Sequence, residues 1–294
     1  MRRAPAPILA LVAVTAIWGY TFVPVQKAVG AYPLFAFLAV RFAISTLALA
    51  PFAWGPLRAL PRAGWAAGIV AGSFLALAYG LQTAGLELTT VTSTGFITGL
   101  YVVFTPLLAL AAFRTPVPAP VWIGVVFALA GLLLLSGAPG GSWTGNLLVL
   151  GNAVAQSFQI VAMERWAPRY DARALTILQM AVAFAGFAVV AVAAGQIEAP
   201  PDAATWYALV VTGVFAGALG YLVSTWVQSR TTAARAALVF TLEAPFAALF
   251  GVLLLSERLG WAGWTGCVVM LAGIVLAEPA AAAVLRRLVP ARAG

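Results

Sequence analysis

The polar positions in this chain are sparse, and the apolar positions between them come in runs. Ten such runs can be marked, at roughly 7–29, 33–53, 63–84, 89–113, 120–137, 145–166, 172–194, 203–228, 231–255 and 261–282. Each has about the length that crosses a hydrocarbon layer of ~30 Å as a helix rising ~1.5 Å per residue. The breaks carry turn chemistry: Tyr32-Pro33, Gly55-Pro56, Pro116 to Pro120, Ala138-Pro139-Gly140-Gly141 and Pro200-Pro201. They are short connectors, not linkers between domains. The pattern predicts an all-α integral membrane protein with ten transmembrane helices, forming a single domain over residues 1–294. Met1-Arg2-Arg3 and the apolar run from Ile8 look like the start of a signal peptide. That run continues to about Val29 with Trp18 and Pro24 inside it and lacks a small-x-small cleavage site, so it reads as a retained first span.

Composition agrees with this reading: 63% of residues are hydrophobic and 8% charged, with a mean hydropathy of +1.02. The net charge of +8 does not point to nucleic acid, because the basic residues are scattered singly between apolar runs. It orients the chain instead. With the N-terminus in the cytoplasm, the inner segments hold Arg2, Arg3, Arg58, Arg62, Arg114, Arg165, Arg169, Arg173, Arg230, Arg235, Arg286, Arg287 and Arg292. Lys27, Arg41 and Arg258 remain on the other side, thirteen against three, which predicts that both termini are cytoplasmic. The lone Cys267 lies in an apolar run and reads as small-residue packing.

The halves of the chain resemble each other. A shift of 142 residues lays Thr89-Thr90 on Thr231-Thr232, Tyr79 on Tyr221, Trp122 on Trp264, Gly124 on Gly266 and Ala130-Gly131 on Ala272-Gly273. In the first helices a shift of 138 works better, bringing Lys27 onto Arg165 and Arg41 onto Gln179. Five spans per half, an odd number, predict two inverted repeats over about 7–137 and 145–282. In such folds the substrate site lies near the midplane where the repeats meet.

Polar residues at depth mark that place. Trp18, Tyr101, Gln156 and Glu243 fall near the centres of spans 1, 4, 6 and 9, and the two shifts pair Trp18 with Gln156 and Tyr101 with Glu243. A carboxylate at the centre of a span is costly, so Glu243 should face a cavity. Two residues on, Pro245 removes a backbone donor and frees a carbonyl one turn back. Gln159 is one turn from Gln156 and shares its face. Tyr79 lies late in span 3 and Tyr221 late in span 8, an inverted pair that suits two gates or two walls of one cavity. Gln82 and Ser224 each follow one of these tyrosines by three residues. The candidate substrate-binding set is Trp18, Tyr79, Gln82, Tyr101, Gln156, Gln159, Tyr221 and Glu243. Arg41, about eight residues into span 2, is open to two readings: a carboxylate ligand, or a snorkelling or structurally paired cation. Small residues recur every fourth position at Gly64, Gly68, Gly72, Ala76 and Gly80, and again at Ala208, Thr212, Ala216 and Gly220, which predicts close helix contacts.

Trp18-Gly19, Arg41-Phe42, Leu242-Glu243-Ala244-Pro245 with Leu255-Ser256-Glu257-Arg258-Leu259, and Trp264-Thr265-Gly266 with Ala272-Gly273 resemble, in order and spacing, the drug/metabolite transporter superfamily in its EamA-type branch. The stretch from Gly95 to Val103 is similar to bacterial YddG-type amino-acid exporters. The first half departs from the pattern, with Arg114-Thr115-Pro116 where the second has Ser256-Glu257-Arg258. The resemblance implies a carrier in the bacterial inner membrane that exports amino acids, aromatic ones included, or related metabolites. It would need no cofactor or metal and would work as a monomer or homodimer. Two other classes stand beside it. An intramembrane enzyme finds no histidine, and Asp171 and Asp202 fall in connectors, not in a buried dyad. A channel-like passive pore would need a continuous polar lining, whereas here the deep polar residues bunch at the midplane. Export of other drugs or metabolites stays open.

Overall fold

The computed structural model describes residues 6–114, 116–136, 142–255 and 258–277. Ten helices run through them, and no strand occurs among the described residues. Seven are single elements: α1 Ala6–Val29, α2 Leu34–Arg58, α3 Arg62–Leu88, α5 Ala119–Ser136, α6 Trp143–Trp166, α7 Ala172–Ala193 and α10 Trp261–Ala277. Three are composite. α4 is Val91–Gly99 followed by Tyr101–Phe113, and α9 is Ala233–Phe240 followed by Glu243–Leu255. α8 is Ala203–Val210, a π-helical stretch Val211–Gly220, then Tyr221–Gln228. Eight of the ten are long and apolar enough to cross a membrane; α5 and α10 are shorter apolar helices. The connector Ala138 to Gly141, the loop pair Ser256-Glu257, Thr115, and the terminal arginines Arg2, Arg3, Arg286, Arg287 and Arg292 lie outside the described residues.

Pro56 does not end α2 as the sequence pattern predicted; the helix runs on to Arg58, and Pro51 and Pro56 both lie within it. A proline deletes one backbone donor, which is tolerable near an exposed helix end such as this one, where Trp54 is 54% exposed. The acids at the connectors have structural roles. Asp171 caps α7 by accepting from the backbone N–H groups of Arg173 and Ala174, and Asp202 caps α8 through the N–H of Thr205. The guanidinium of Arg173 beside Asp171, 3.0 Å away, holds that carboxyl below its ordinary value. The N–H of Thr205 does the same for Asp202.

Hydrocarbon offers no hydrophobic drive between helices, so close backbone approach supplies much of the packing. α5 and α10 cross at glycines: a Cβ on Gly124 would stand 2.9 Å from the carbonyl oxygen of Gly273, and one on Gly273 would stand 3.0 Å from that of Gly124. The glycine stripe of α3 is pressed on α7, Gly68 against Leu178 and Gly72 against Val182 and the Gln179 backbone. In α8 the predicted small residues Ala208, Thr212 and Ala216 are buried, but Gly213 and Gly217, one position on, are the ones that meet Ile44 and Ser45 of α2. The offset follows from the π-helical stretch, whose wider turn rotates successive residues differently from an α-helix. Its carbonyls find side-chain donors: Ser45 Oγ donates to Gly213 O at 2.7 Å and Trp18 Nε1 to Ala216 O at 3.0 Å.

The breaks in α4 and α9 are tightened turns, not unwound chain. Leu100 N–H bonds Ile97 O and Val103 N–H bonds Leu100 O, at 3.1 and 2.9 Å. In α9, Leu242 N–H bonds Val239 O and Ala244 N–H bonds Thr241 O, both at 3.1 Å. The carbonyl that Pro245 leaves without its usual partner is that of Thr241, and the Ala244 N–H takes it. These bonds pair the freed Thr241 carbonyl and its neighbours at membrane depth, where hydrocarbon offers no partner.

Candidate functional site

Tyr101 and Glu243 are the first residues after the two breaks. Each begins a helical piece, and each points into the space where α1, α3, α4, α6, α8 and α9 meet. A small void there, about 20 Å³, is lined by Trp18, Tyr79, Gln82, Thr98, Tyr101, Gln156, Ile160, Tyr221, Phe240 and Glu243. Seven of the eight sequence-predicted residues are therefore gathered on one cavity.

Gln159 is the eighth, and it stands behind the wall. It is 1% exposed, accepts from Gln156 Nε2 at 3.3 Å and donates from Nε2 to Gln179 Oε1 at 2.8 Å. Gln179 in turn donates to Leu175 O at 3.2 Å. These amides form a chain that joins α6 to α7 and fixes Gln156 at the cavity.

Tyr79 and Tyr221 are two walls of one cavity, not gates on opposite sides. Their ring centroids are 6.1 Å apart. Side chains of a helix lean toward its N-terminus, and both tyrosines sit late in antiparallel helices, so both rings swing back toward the middle. Trp18 completes an aromatic group, 5.2 Å from the Tyr221 ring and 5.4 Å from Phe240. Gly19 permits this. A Cβ there would fall 2.8 Å from the carbonyl oxygen of Glu243 and 2.7 Å from the backbone nitrogen of Ala247, so only glycine lets α1 lie against the start of the second piece of α9.

On the opposite wall Thr98 Oγ1 accepts from Asn152 Nδ2 at 2.9 Å and from Gln82 Nε2 at 3.2 Å. Thr98, one turn before Tyr101, and Phe240, one turn before Glu243, were not singled out from the sequence. The helical i, i+3 spacing was the signal for both. Tyr101 is 2% exposed and its hydroxyl has no hydrogen-bond partner.

Arg41 also belongs to this region. It is 4% exposed, its guanidinium carbon sits 4.5 Å from the Tyr79 ring centroid and 5.6 Å from that of Phe42, and it does not snorkel. It lines a second void of about 20 Å³ with Trp18, Thr21, Phe22, Val25, Tyr79, Gln82, Thr83, Leu86 and Glu243. Each void has room for about one water, so the central region is closed in this conformation. The larger concavity of about 720 Å³, at the helix ends between Tyr170 and Arg230, is lined by none of these groups.

A model of the EamA-like transporter family matches the chain twice, over residues 5–137 and 143–278. The chain belongs to the EamA-like transporter family. A transporter of Archaeoglobus fulgidus described as uncharacterized is 31% identical over 273 residues, covering 91% of this chain and 84% of that protein. A solved crystal structure superposes over 98% of this chain and 100% of its own with a TM-score of 0.77 at 20% identity, a likeness of fold alone. Membership of the EamA-like family and the eight long apolar helices together make this a multi-pass membrane transporter. The family matches fall on the two halves that the 138- and 142-residue shifts relate.

Proposed function

We propose that this chain is an inner-membrane carrier that exports amino acids, aromatic ones included, or related small metabolites by alternating access. The carrying observation is the convergence of Trp18, Tyr79, Gln82, Tyr101, Gln156, Tyr221 and Glu243, from three helices of each half, on one closed central void. The aromatic faces suit an ammonium or an aromatic side chain, and the amides suit both ends of a zwitterion. Gln159 holds Gln156 in place. A void of about 20 Å³ cannot admit an amino acid, so the helices must part to load it and part again to release it.

We take the chain as one ten-helix domain built from two inverted repeats. The swapped pairing supports this: breaks at Leu100 and at Thr241-Leu242 fall 142 positions apart at Leu242, and the second pieces of α4 and α9 pack on α6 and α1 respectively. Among the described residues, Arg58, Arg62, Arg114, Arg165, Arg169, Arg173 and Arg230 cluster at helix ends that alternate crossing puts on one side, which favours cytoplasmic termini. The test is flux of labelled amino acids into proteoliposomes holding the purified chain. Saturable uptake accelerated by unlabelled amino acid on the far side is the carrier's signature. Linear, unsaturable flux would make it a pore, and inert amino acids alongside mobile non-amino-acid metabolites would move the substrate class.

A further inference from the structure

The central region holds an arginine and a glutamate, Arg41 and Glu243, that both line the second void and form no ion pair with each other. Arg41 has a buried, unpartnered Nε, and its guanidinium lies against the Tyr79 and Phe42 rings. Its counterpart at the 138-residue shift, Gln179, shows the contrast: that amide is fully engaged, accepting from Gln159 and donating to Leu175 O. A guanidinium in a low-dielectric interior with an unpartnered N–H is costly unless something of opposite charge meets it. Its planar fork matches a carboxylate.

We propose that Arg41 is the anchor for a substrate carboxylate, with Glu243 as the counter-charge for the adjoining ammonium. This rests on the amino-acid reading above and fixes the substrate's orientation within it. The carboxylate enters the void bounded by Thr21, Val25, Arg41 and Thr83. The ammonium meets Glu243 beside Trp18 on the wall shared by the two voids. The side chain projects into the other void, against Tyr101, Ile160, Tyr221 and Phe240. An ammonium beside Glu243 favours its carboxylate form, so a zwitterion leaves the two charges of the loaded site balanced. A ligand with only one charge leaves either Arg41 or Glu243 buried and unpaired, so the site selects zwitterions over lone amines and lone acids.

The experiment uses the full chain in proteoliposomes preloaded with labelled phenylalanine. Competitors are unlabelled phenylalanine, phenylalaninamide, which lacks the carboxylate, and N-acetylphenylalanine, which lacks the ammonium. In wild type, phenylalanine should compete about tenfold better than either derivative. In Arg41→Gln, checked for folding by size-exclusion profile and melting, the preference for acid over amide should fall to about unity while the preference over the N-acetyl derivative persists. Equal competition by acid and amide in wild type overturns the anchor without needing the variant. So does an Arg41→Gln protein that keeps the tenfold preference. Either result leaves amino-acid transport standing. If wild type moves no amino acid, the functional reading fails, and the anchor is judged by melting with phenylalanine: a stabilisation lost in Arg41→Gln upholds it, and none in wild type overturns it.

Discussion

The two broken helices carry the same backbone device and opposite chemistry. At the first break Thr98 precedes the turn and Tyr101 follows it; at the second, 142 positions on, Phe240 precedes and Glu243 follows. Polar and apolar have changed places. Thr98 ties Gln82 and Asn152 into a hydrogen-bonded wall, and Phe240 packs on Trp18. The helix lying against each break differs in the same sense. Ser157 sits 3.5 Å from Tyr101 O and keeps its side chain, whereas Gly19, its counterpart at 138, has no room for one over Glu243 O. One side of the cavity is thus a wall of amides tied to Thr98, with the Tyr101 hydroxyl left unpartnered, and the other is a tightly packed aromatic surface around a single acid. The two halves share a backbone device at corresponding positions and differ in the side chains they set around it.

Several substitutions would break or sharpen that contrast. The largest effect is expected from Glu243→Gln, with exchange flux down on the order of tenfold or more and the size-exclusion profile unchanged; Tyr101→Phe should lose only severalfold. Flux assays in proteoliposomes compare the two, and an unchanged rate and pH profile in Glu243→Gln would remove the acid from the mechanism. Next comes the packing. Gly19→Ser should destabilise by about 3 kcal/mol, because the new atom meets backbone, while Ser157→Gly should cost about 1 kcal/mol. Thermal melting in detergent orders them; equal melting temperatures would mean that the breaks are not packed differently.

Smaller still is the polar wall. Thr98→Val removes the acceptor of two amides and should cost about 1–3 kcal/mol, against about 1 kcal/mol for Phe240→Leu. If Phe240→Leu melts lower, the amide wall is not the more sensitive one. The smallest effect lies outside the cavity. Because Asp171 is held below its ordinary value, its cap stabilises fully above about pH 4 and loses that contribution as pH falls through the lowered value. Asp171→Asn keeps a capping oxygen but should flatten the acid limb of the melting profile by about 1 kcal/mol or less, and a limb of unchanged slope would place the acid sensitivity elsewhere.

The helices and the depth of the polar residues were legible because a bilayer imposes both. A run of apolar residues of the right length has no other use, and a carboxylate or amide near its centre must turn inward. Those constraints act residue by residue, so the sequence alone determined the ten helices, the correspondence of the halves and seven of the ten residues that line the cavity. It did not determine which polar groups were already spoken for. Gln156 and Gln159 look alike in the chain, yet one faces the void and the other is consumed by Gln179. Arg41 admitted two roles until the structure showed its guanidinium buried against rings with an unpartnered Nε. The π-helical stretch of α8 left no mark that small-residue spacing could reveal, since it depends on donors from α1 and α2. Hydrogen-bond satisfaction and close backbone approach are properties of pairs of helices, and the partner of each residue is decided only when the helices pack.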